Sequence, residues 1–75
     1  MREFLEYVAR LLAQSPDQVE LTETQEEGTV IYRLTVAQED VGRIIGRDGR
    51  VVRAIRAVLR AAAARQNLRV ALQVR

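Results

Sequence analysis

A chain of 75 residues that is 48% hydrophobic and 29% charged has the composition of a small globular domain, so we expect residues 1–75 to form one domain around one core. Its formal net charge is +2, and all twelve basic residues are arginine. The sequence contains neither cysteine nor histidine, which excludes disulfides, thiolate chemistry and the commonest metal ligands. We therefore expect neither a cofactor nor a metal.

The first predicted element is a helix of about three turns. Its apolar residues recur at helical spacing, and they are Phe4, Leu5, Val8, Leu11 and Leu12. Charged residues occupy the other face, so the segment is neither a signal peptide nor a membrane span, and we expect a cytoplasmic protein that does not contact a membrane. The run Ser15-Pro16-Asp17 should end this helix.

Two strands should follow and pair antiparallel. Val19 and Leu21 alternate with polar residues, which indicates a short strand, and Gln25-Glu26-Glu27-Gly28 indicates a turn. Residues 29–36 are rich in β-branched side chains and predict the second strand. The apolar face of that strand carries Val30, Tyr32, Leu34 and Val36.

The second half of the chain predicts two helices and a last strand. The first helix covers about residues 38–45, and acidic Glu39 and Asp40 favour its start. The second begins at Gly49, and its apolar face carries Val51, Val52, Ile55, Val58, Leu59 and Ala62. Residues 68–74 alternate as a strand. The order α-β-β-α-α-β predicts an α+β fold in which three helices cover one face of a three-stranded sheet.

The turn between those two helices, Gly46-Arg47-Asp48-Gly49, is the most informative segment. Glycine allows a sharp turn and the close approach of another molecule. The amide groups that begin the following helix attract anions. Residues 43–69 contain eight arginines and a single acid, a basic surface suited to a polyanion. The alternatives are that both glycines only end one helix and start the next, and that arginine reflects codon or habitat preference.

This segment, preceded by Ile44-Ile45 and followed by Arg50-Val51-Val52, resembles the GXXG loop of KH domains, which clamps about four nucleotides of single-stranded RNA or DNA. The order of elements resembles the type II, prokaryotic KH fold over essentially the entire chain. With residues 39–46 leading into the loop, the chain is similar to the KhpA-like small bacterial RNA-binding proteins. That resemblance implies RNA binding, an RNA chaperone role with a larger KH-containing partner of the Jag type, and a link to cell shape and cell wall organisation.

The predicted RNA site joins the loop to the ends of both helices. Arg47 should project from the loop tip toward phosphate, with arginines of the flanking helices along the same path; a solvated helix face is the alternative. Asp48 would repel a phosphate and is expected to cap the second helix. Val41 and Ile45 should line the apolar groove on which bases rest, and Gly42 leaves room there for a base or for close packing. The full set is Val41, Gly42, Arg43, Ile45, Gly46, Arg47, Asp48, Gly49, Arg50 and Arg53.

Three classes of function can be compared with these residues. Non-catalytic binding of single-stranded RNA, or of single-stranded DNA, fits these residues. An enzyme is not expected, because the only serine, Ser15, precedes a proline and no histidine, lysine or cysteine could activate it. A protein-interaction domain with a degenerate KH fold is the remaining alternative. Its contact would be made by the acidic turn or by a stripe of small residues: Ala54, Ala57, Ala61 and Ala64. The same stripe also suits a homodimer, and the alternative is that these alanines only favour helix formation.

Overall fold

The computed structural model describes residues 1–75 and confirms the predicted order of elements. The helices are α1 (Arg2–Leu12), α2 (Val41–Ile45) and α3 (Arg50–Ala64), and the strands are β1 (Glu20–Glu26), β2 (Thr29–Thr35) and β3 (Arg69–Val74). Short 3₁₀ turns precede β1, α2 and α3, at Pro16–Gln18, Gln38–Asp40 and Arg47–Gly49. The expected helix over residues 38–45 is therefore a 3₁₀ turn that continues into α2.

The three strands form one sheet in the order β1-β2-β3. β1 and β2 are antiparallel, and the two-residue turn Glu27-Gly28 joins them, with both residues at positive φ (47° and 80°) as hairpin turns of this length require. β3 lies parallel to β2, with Leu72 opposite Tyr32. A parallel neighbour needs a crossover connection, and α2, the loop and α3 supply it.

One core lies between the helices and one face of the sheet. The alternation predicted for β2 is confirmed, because Val30, Tyr32 and Leu34 are buried while Arg33 and Thr35 are exposed. Burial raises the pKa of Tyr32; the Glu23 carboxylate raises it further and Arg2 opposes the shift, so the phenol is neutral at physiological pH. The buried cluster is Leu5, Ala9, Val19, Leu21, Val30, Tyr32, Leu34, Val36, Ile44, Val52, Ile55, Leu59 and Leu72.

The helices bury narrower faces than their sequences predict. Leu11 is 67% exposed and Val58 is 49% exposed, although helical periodicity places both with core residues. On α3 the buried stripe continues to Ala63, not Ala62. A three-stranded sheet in so small a domain offers one shallow layer, which covers residues at i, i+3 or i+4 and leaves the sides of each helix in solvent.

Candidate nucleic-acid interface

The loop Gly46-Arg47-Asp48-Gly49 joins α2 to α3, and its two central residues are exposed. It is closed by backbone hydrogen bonds. The Gly46 amide donates to the Gly42 carbonyl (2.8 Å), the Gly49 amide donates to the Gly46 carbonyl (3.1 Å), and the Arg50 amide donates to the Arg47 carbonyl. The segment is therefore a defined turn whose tip side chains face solvent.

Both loop glycines have backbone conformations that other residues rarely adopt, but for different reasons. Gly46 has φ 77° and ψ 171°, a region that is essentially restricted to glycine. A Cβ at Gly46 would also lie 2.8 Å from the Val51 Cβ and 2.9 Å from the Val51 amide nitrogen. Gly49 has the left-handed values φ 75° and ψ 14°, and its nearest neighbour would be 3.8 Å away. Gly46 is thus required by both conformation and space, and Gly49 by conformation alone.

The expectation that Asp48 caps α3 is wrong. No side chain accepts a hydrogen bond from the first turn of α3, and the N-cap position is held by Gly49. A capping side chain projects from a residue with extended backbone next to the helix, whereas Asp48 lies one residue earlier with φ 56° and ψ 25°. Its carboxylate is therefore exposed on the loop, where it would weaken the binding of a phosphate.

The four arginines of the predicted site fall into two groups. Arg47 and Arg50 are exposed, and their side chains make no hydrogen bond or ion pair. The Arg43 guanidinium lies 3.6 Å from a carboxylate oxygen of Asp40, and that of Arg53 donates to carbonyl groups of the loop. Two arginines are thus free to meet an anion, and two already have partners within the chain.

Asp40 lies at a helix start, as expected, but it has a further structural role that sequence reasoning missed. It is the one buried charged side chain, with no exposed surface, and its two carboxylate oxygens accept the amides of Gln14 and Ser15 at 3.0 Å each. Asp40 therefore joins the end of α1 to the start of α2 and fixes the helix that carries Arg43. The sequence identified an acid at a helix start, but no local pattern indicates partners 25 residues away.

The predicted groove residues lie together on α2. Val41 and Ile45 are half-buried, whereas Ile44 is fully buried in the core, as expected. Gly42 is exposed between them, and a Cβ built on it would have no neighbour within 4 Å. Of the two roles considered for Gly42, close packing within the chain is therefore excluded, and room for a ligand remains.

We expect Gly42→Ala to weaken RNA binding without destabilising the domain. Alanine is a better helix former than glycine by about 1 kcal/mol, and the added methyl group meets no atom of the chain, so the free energy of unfolding should hold or rise slightly. If a base rests beside Ile45, as the resemblance implies, the same methyl group would occupy part of its space. Urea denaturation together with RNA titration of the variant checks both parts. An unchanged affinity would place the bases elsewhere.

This surface is open rather than pocket-like. The three depressions on the molecule lie along α1, beside the β1–β2 turn, and between the end of α3 and β3, all away from the loop. No group of three or more acidic residues could hold a metal ion. None of the helices has the length and hydropathy that crossing a membrane requires. The geometry at the loop suits an extended polyanion better than a small enclosed ligand.

Comparison with known proteins gives one consistent result. The family model described as "KhpA/KhpB, KH domain" matches residues 2–74. The chain is 46% identical over 74 residues to the RNA-binding protein KhpA of Chlamydia trachomatis, covering 99% of this chain and 95% of that protein. It is 42% identical to the KhpA of Clostridium acetobutylicum, covering 99% of both chains, and 44% identical to that of Borreliella burgdorferi, covering 96% and 88%. No solved structure matches the chain.

Proposed function

The chain belongs to the KhpA/KhpB family of KH-domain proteins, and we propose that it binds single-stranded RNA through its GXXG loop and the exposed side of α2. The family is one of RNA-binding domains and not of enzymes, so the chain is not an enzyme. One observation carries the proposal: two unpaired arginines, Arg47 and Arg50, stand where a glycine turn opens the N-terminus of α3.

Phosphate groups would be held from two directions. The guanidinium groups of Arg47 and Arg50 supply charge-assisted hydrogen bonds, which are stronger than bonds between neutral groups. The fifteen-residue helix α3 directs the positive end of its dipole at the same place, and no side chain caps its first turn. Asp48 opposes this attraction with one exposed carboxylate, so a single domain should bind weakly.

Bases would rest on apolar surface rather than on aromatic rings. Val41 and Ile45 offer half-buried aliphatic side chains beside the loop, with the open space at Gly42 between them. The three aromatic residues lie elsewhere, since Phe4 and Tyr7 are on α1 and Tyr32 is in the core. A surface without a stacking platform favours short single-stranded segments whose backbone is gripped at the loop. Single-stranded DNA remains the alternative ligand.

Pairing of domains would compensate for weak binding by one of them. The side of α3 away from the core exposes a stripe of small residues beside Val58: Ala54, Ala57, Ala61 and Ala64. Such residues let a second helix approach closely. We propose that a larger KH-containing protein of the Jag type, or a second copy of this chain, packs there, which would raise the effective concentration of KH domains on one RNA.

The proposed cellular role depends on that partner. Several weakly binding domains on one RNA suit an RNA chaperone, which must hold and release many transcripts. We propose this role for the chain, in the cytoplasm, with consequences for cell shape and cell wall organisation. Its first requirement is measurable in vitro, because a chaperone of this kind should bind unrelated single strands with similar affinity and duplexes poorly.

The salt dependence of binding tests the phosphate part directly. For single strands, the slope of log K against log salt is about −0.7 for each phosphate neutralised. Arg47 and Arg50 then give a slope of about −1.4, and Arg43, which shares its charge with Asp40, extends it to about −2 at most. Arg50→Ala should reduce the slope by roughly 0.7. Fluorescence anisotropy of a labelled single-stranded RNA measures these values.

Arg60→Ala is the matched control, since Arg60 is exposed on the same helix about three turns from the loop. It should leave the slope near that of the wild-type protein. A wild-type slope near zero would mean that groove contacts, and not phosphates, hold the strand. A wild-type protein that binds no single strand at all would favour the alternative of a protein-interaction domain, for which exposed Tyr7 and Leu11 on α1 offer apolar surface.

A further inference from the structure

Arg53 lies on α3 one turn after the loop, and its side chain folds back onto that loop. One terminal nitrogen of its guanidinium donates to the Asp48 carbonyl, and its Nε donates to the Gly49 carbonyl at 3.3 Å. The spacing of four and five residues places all three on one side of the helix start. Arg47 and Arg50, by contrast, have no partner within the chain.

We propose that Arg53 is a positioning residue that holds the GXXG loop in its RNA-binding shape and does not itself bind phosphate. This inference rests on the proposed function, because it assigns Arg53 a part in that same site. It also changes the sequence-based expectation, in which Arg53 continued the path of phosphate-binding arginines. Both of its observed hydrogen bonds end on the loop backbone instead.

The Asp48 carbonyl belongs to the loop residue whose conformation most needs support. Asp48 has φ 56° and Gly49 has φ 75°, so two successive residues are left-handed, and Asp48 has a Cβ that makes this conformation unfavourable. The planar guanidinium presents several donors in a fixed arrangement and reaches both acceptors at once. A lysine ammonium is a point charge and lacks that fixed arrangement, although it carries the same charge.

The hydrogen bonds hold each of these peptide units at both ends. The peptide that carries the Asp48 carbonyl also carries the Gly49 amide, which donates to Gly46 at 3.1 Å. The peptide that carries the Gly49 carbonyl also carries the Arg50 amide, which donates to Arg47. The Arg53 guanidinium holds the Asp48 oxygen, it shares the Gly49 oxygen with the first backbone hydrogen bond of α3, and the loop fixes the amide ends. Neither peptide can turn its carbonyl toward the bound strand without breaking two hydrogen bonds, which keeps the negative ends of these dipoles away from phosphate.

Arg53→Lys tests the proposal because it keeps the positive charge and removes the planar guanidinium that reaches both carbonyl groups. Arg53→Lys and Arg53→Ala should both weaken binding of a labelled single-stranded RNA roughly tenfold, since the loop would have to be ordered on binding. In both variants the salt slope should equal that of the wild type. The matched pair is Arg50→Lys and Arg50→Ala. The lysine variant should bind nearly as tightly as the wild type, and the alanine variant should have a salt slope that is shallower by roughly 0.7.

Amide hydrogen exchange gives a second readout that does not depend on RNA. In both Arg53 variants the Gly49 and Arg50 amides should exchange about tenfold faster, as expected of local opening, while core amides such as those of Ile55 and Leu59 keep their wild-type rates. Arg53 is exposed, so the variants should fold, and an unchanged urea midpoint confirms it. A merely structural role would change the urea midpoint, and the exchange rates of the Gly49 and Arg50 amides would then change by the same factor as those of the core amides.

Two results would overturn the proposal. Arg53→Lys binding as tightly as the wild type, with a reduced slope in Arg53→Ala, would make Arg53 a phosphate ligand. Unchanged exchange rates of the Gly49 and Arg50 amides in the Arg53 variants would show that the Arg53 side chain does not stabilise the loop. If the wild-type protein binds no RNA, the proposed function fails, and the exchange rates alone then decide whether Arg53 holds the loop.

Discussion

Replacing Arg47 and Arg50 together by glutamate should weaken RNA binding by more than about 100-fold while the domain remains folded. These are the two arginines of the site without partners in the chain. A hydrogen bond to a charged group contributes about 1.5–3 kcal/mol, and the variant loses two of them and adds repulsion. A loss of about 3 kcal/mol already exceeds 100-fold in affinity.

Stability should hardly change, because both side chains are exposed and surface substitutions usually stay within about 0.5 kcal/mol. Glutamate at these positions also lies near the positive end of the α3 dipole, which favours acids. Titration of single-stranded RNA, with urea denaturation as the folding check, measures both effects. The experiment therefore separates loss of binding from loss of fold.

The control replaces Arg60 and Arg65 by glutamate, which changes net charge equally at the other end of α3, where both arginines are exposed. This variant should keep most of its affinity at physiological salt, where screening acts over about 8 Å. Equal losses in the two variants would indicate attraction by overall charge rather than by the loop. If the Arg47 and Arg50 variant bound as the wild type does, the loop would not be the clamp.

The fold was predictable because each element has its own local signal. The alternation of Val30, Tyr32 and Leu34 indicated a strand covered on one face, and the core contains all three. Gly46 and Gly49 separated two helices that could otherwise read as one. What periodicity overestimated was the width of the buried helix faces, as exposed Leu11 and Val58 show. Periodicity gives the direction of a side chain, but the depth of the layer beneath it depends on the whole domain.

The candidate site could be predicted from the sequence only as a list of residues. The sequence identified the loop and its arginines, but not which arginines have partners. Asp40 meets Gln14 and Ser15 across 26 and 25 residues, and no spacing rule connects them. Arg53 donates to the carbonyl groups of the left-handed residues Asp48 and Gly49, and nothing in the sequence indicates these two hydrogen bonds. Contacts that only the folded structure shows therefore decide which arginines are free to reach RNA.

Gly46→Ala should cause the largest loss of stability of any alanine substitution in the loop, about 3 kcal/mol in the free energy of unfolding. Alanine must leave a backbone region that is essentially restricted to glycine, which costs roughly 1–3 kcal/mol. Its Cβ must also displace Val51, whose backbone nitrogen would lie only 2.9 Å away, and overpacking of this kind costs roughly another 1–3 kcal/mol. Urea denaturation measures the total.

Gly49→Ala separates the two causes, because Gly49 shares the positive φ but has open space around it. It should cost only about 1–2 kcal/mol, the difference between left-handed and right-handed backbone for a residue with a Cβ. Gly28→Ala, at φ 80° in the distant hairpin turn and also in open space, should behave like it. Equal losses of stability in Gly46→Ala and Gly49→Ala would mean that backbone conformation alone sets the cost and that Val51 moves aside without a measurable cost.

The consequence of Gly46→Ala for RNA binding follows from where Val51 lies. Val51 is in the first turn of α3, directly after Arg50, so a shift that admits the new methyl group moves the start of the helix and the Arg50 side chain together. Even at temperatures where the variant is folded, its affinity for single-stranded RNA should therefore fall more than that of Gly49→Ala. Affinities measured well below both midpoints, where each protein is fully folded, test this order. If the two alanine variants bound equally well, the start of α3 would not position the phosphate contacts.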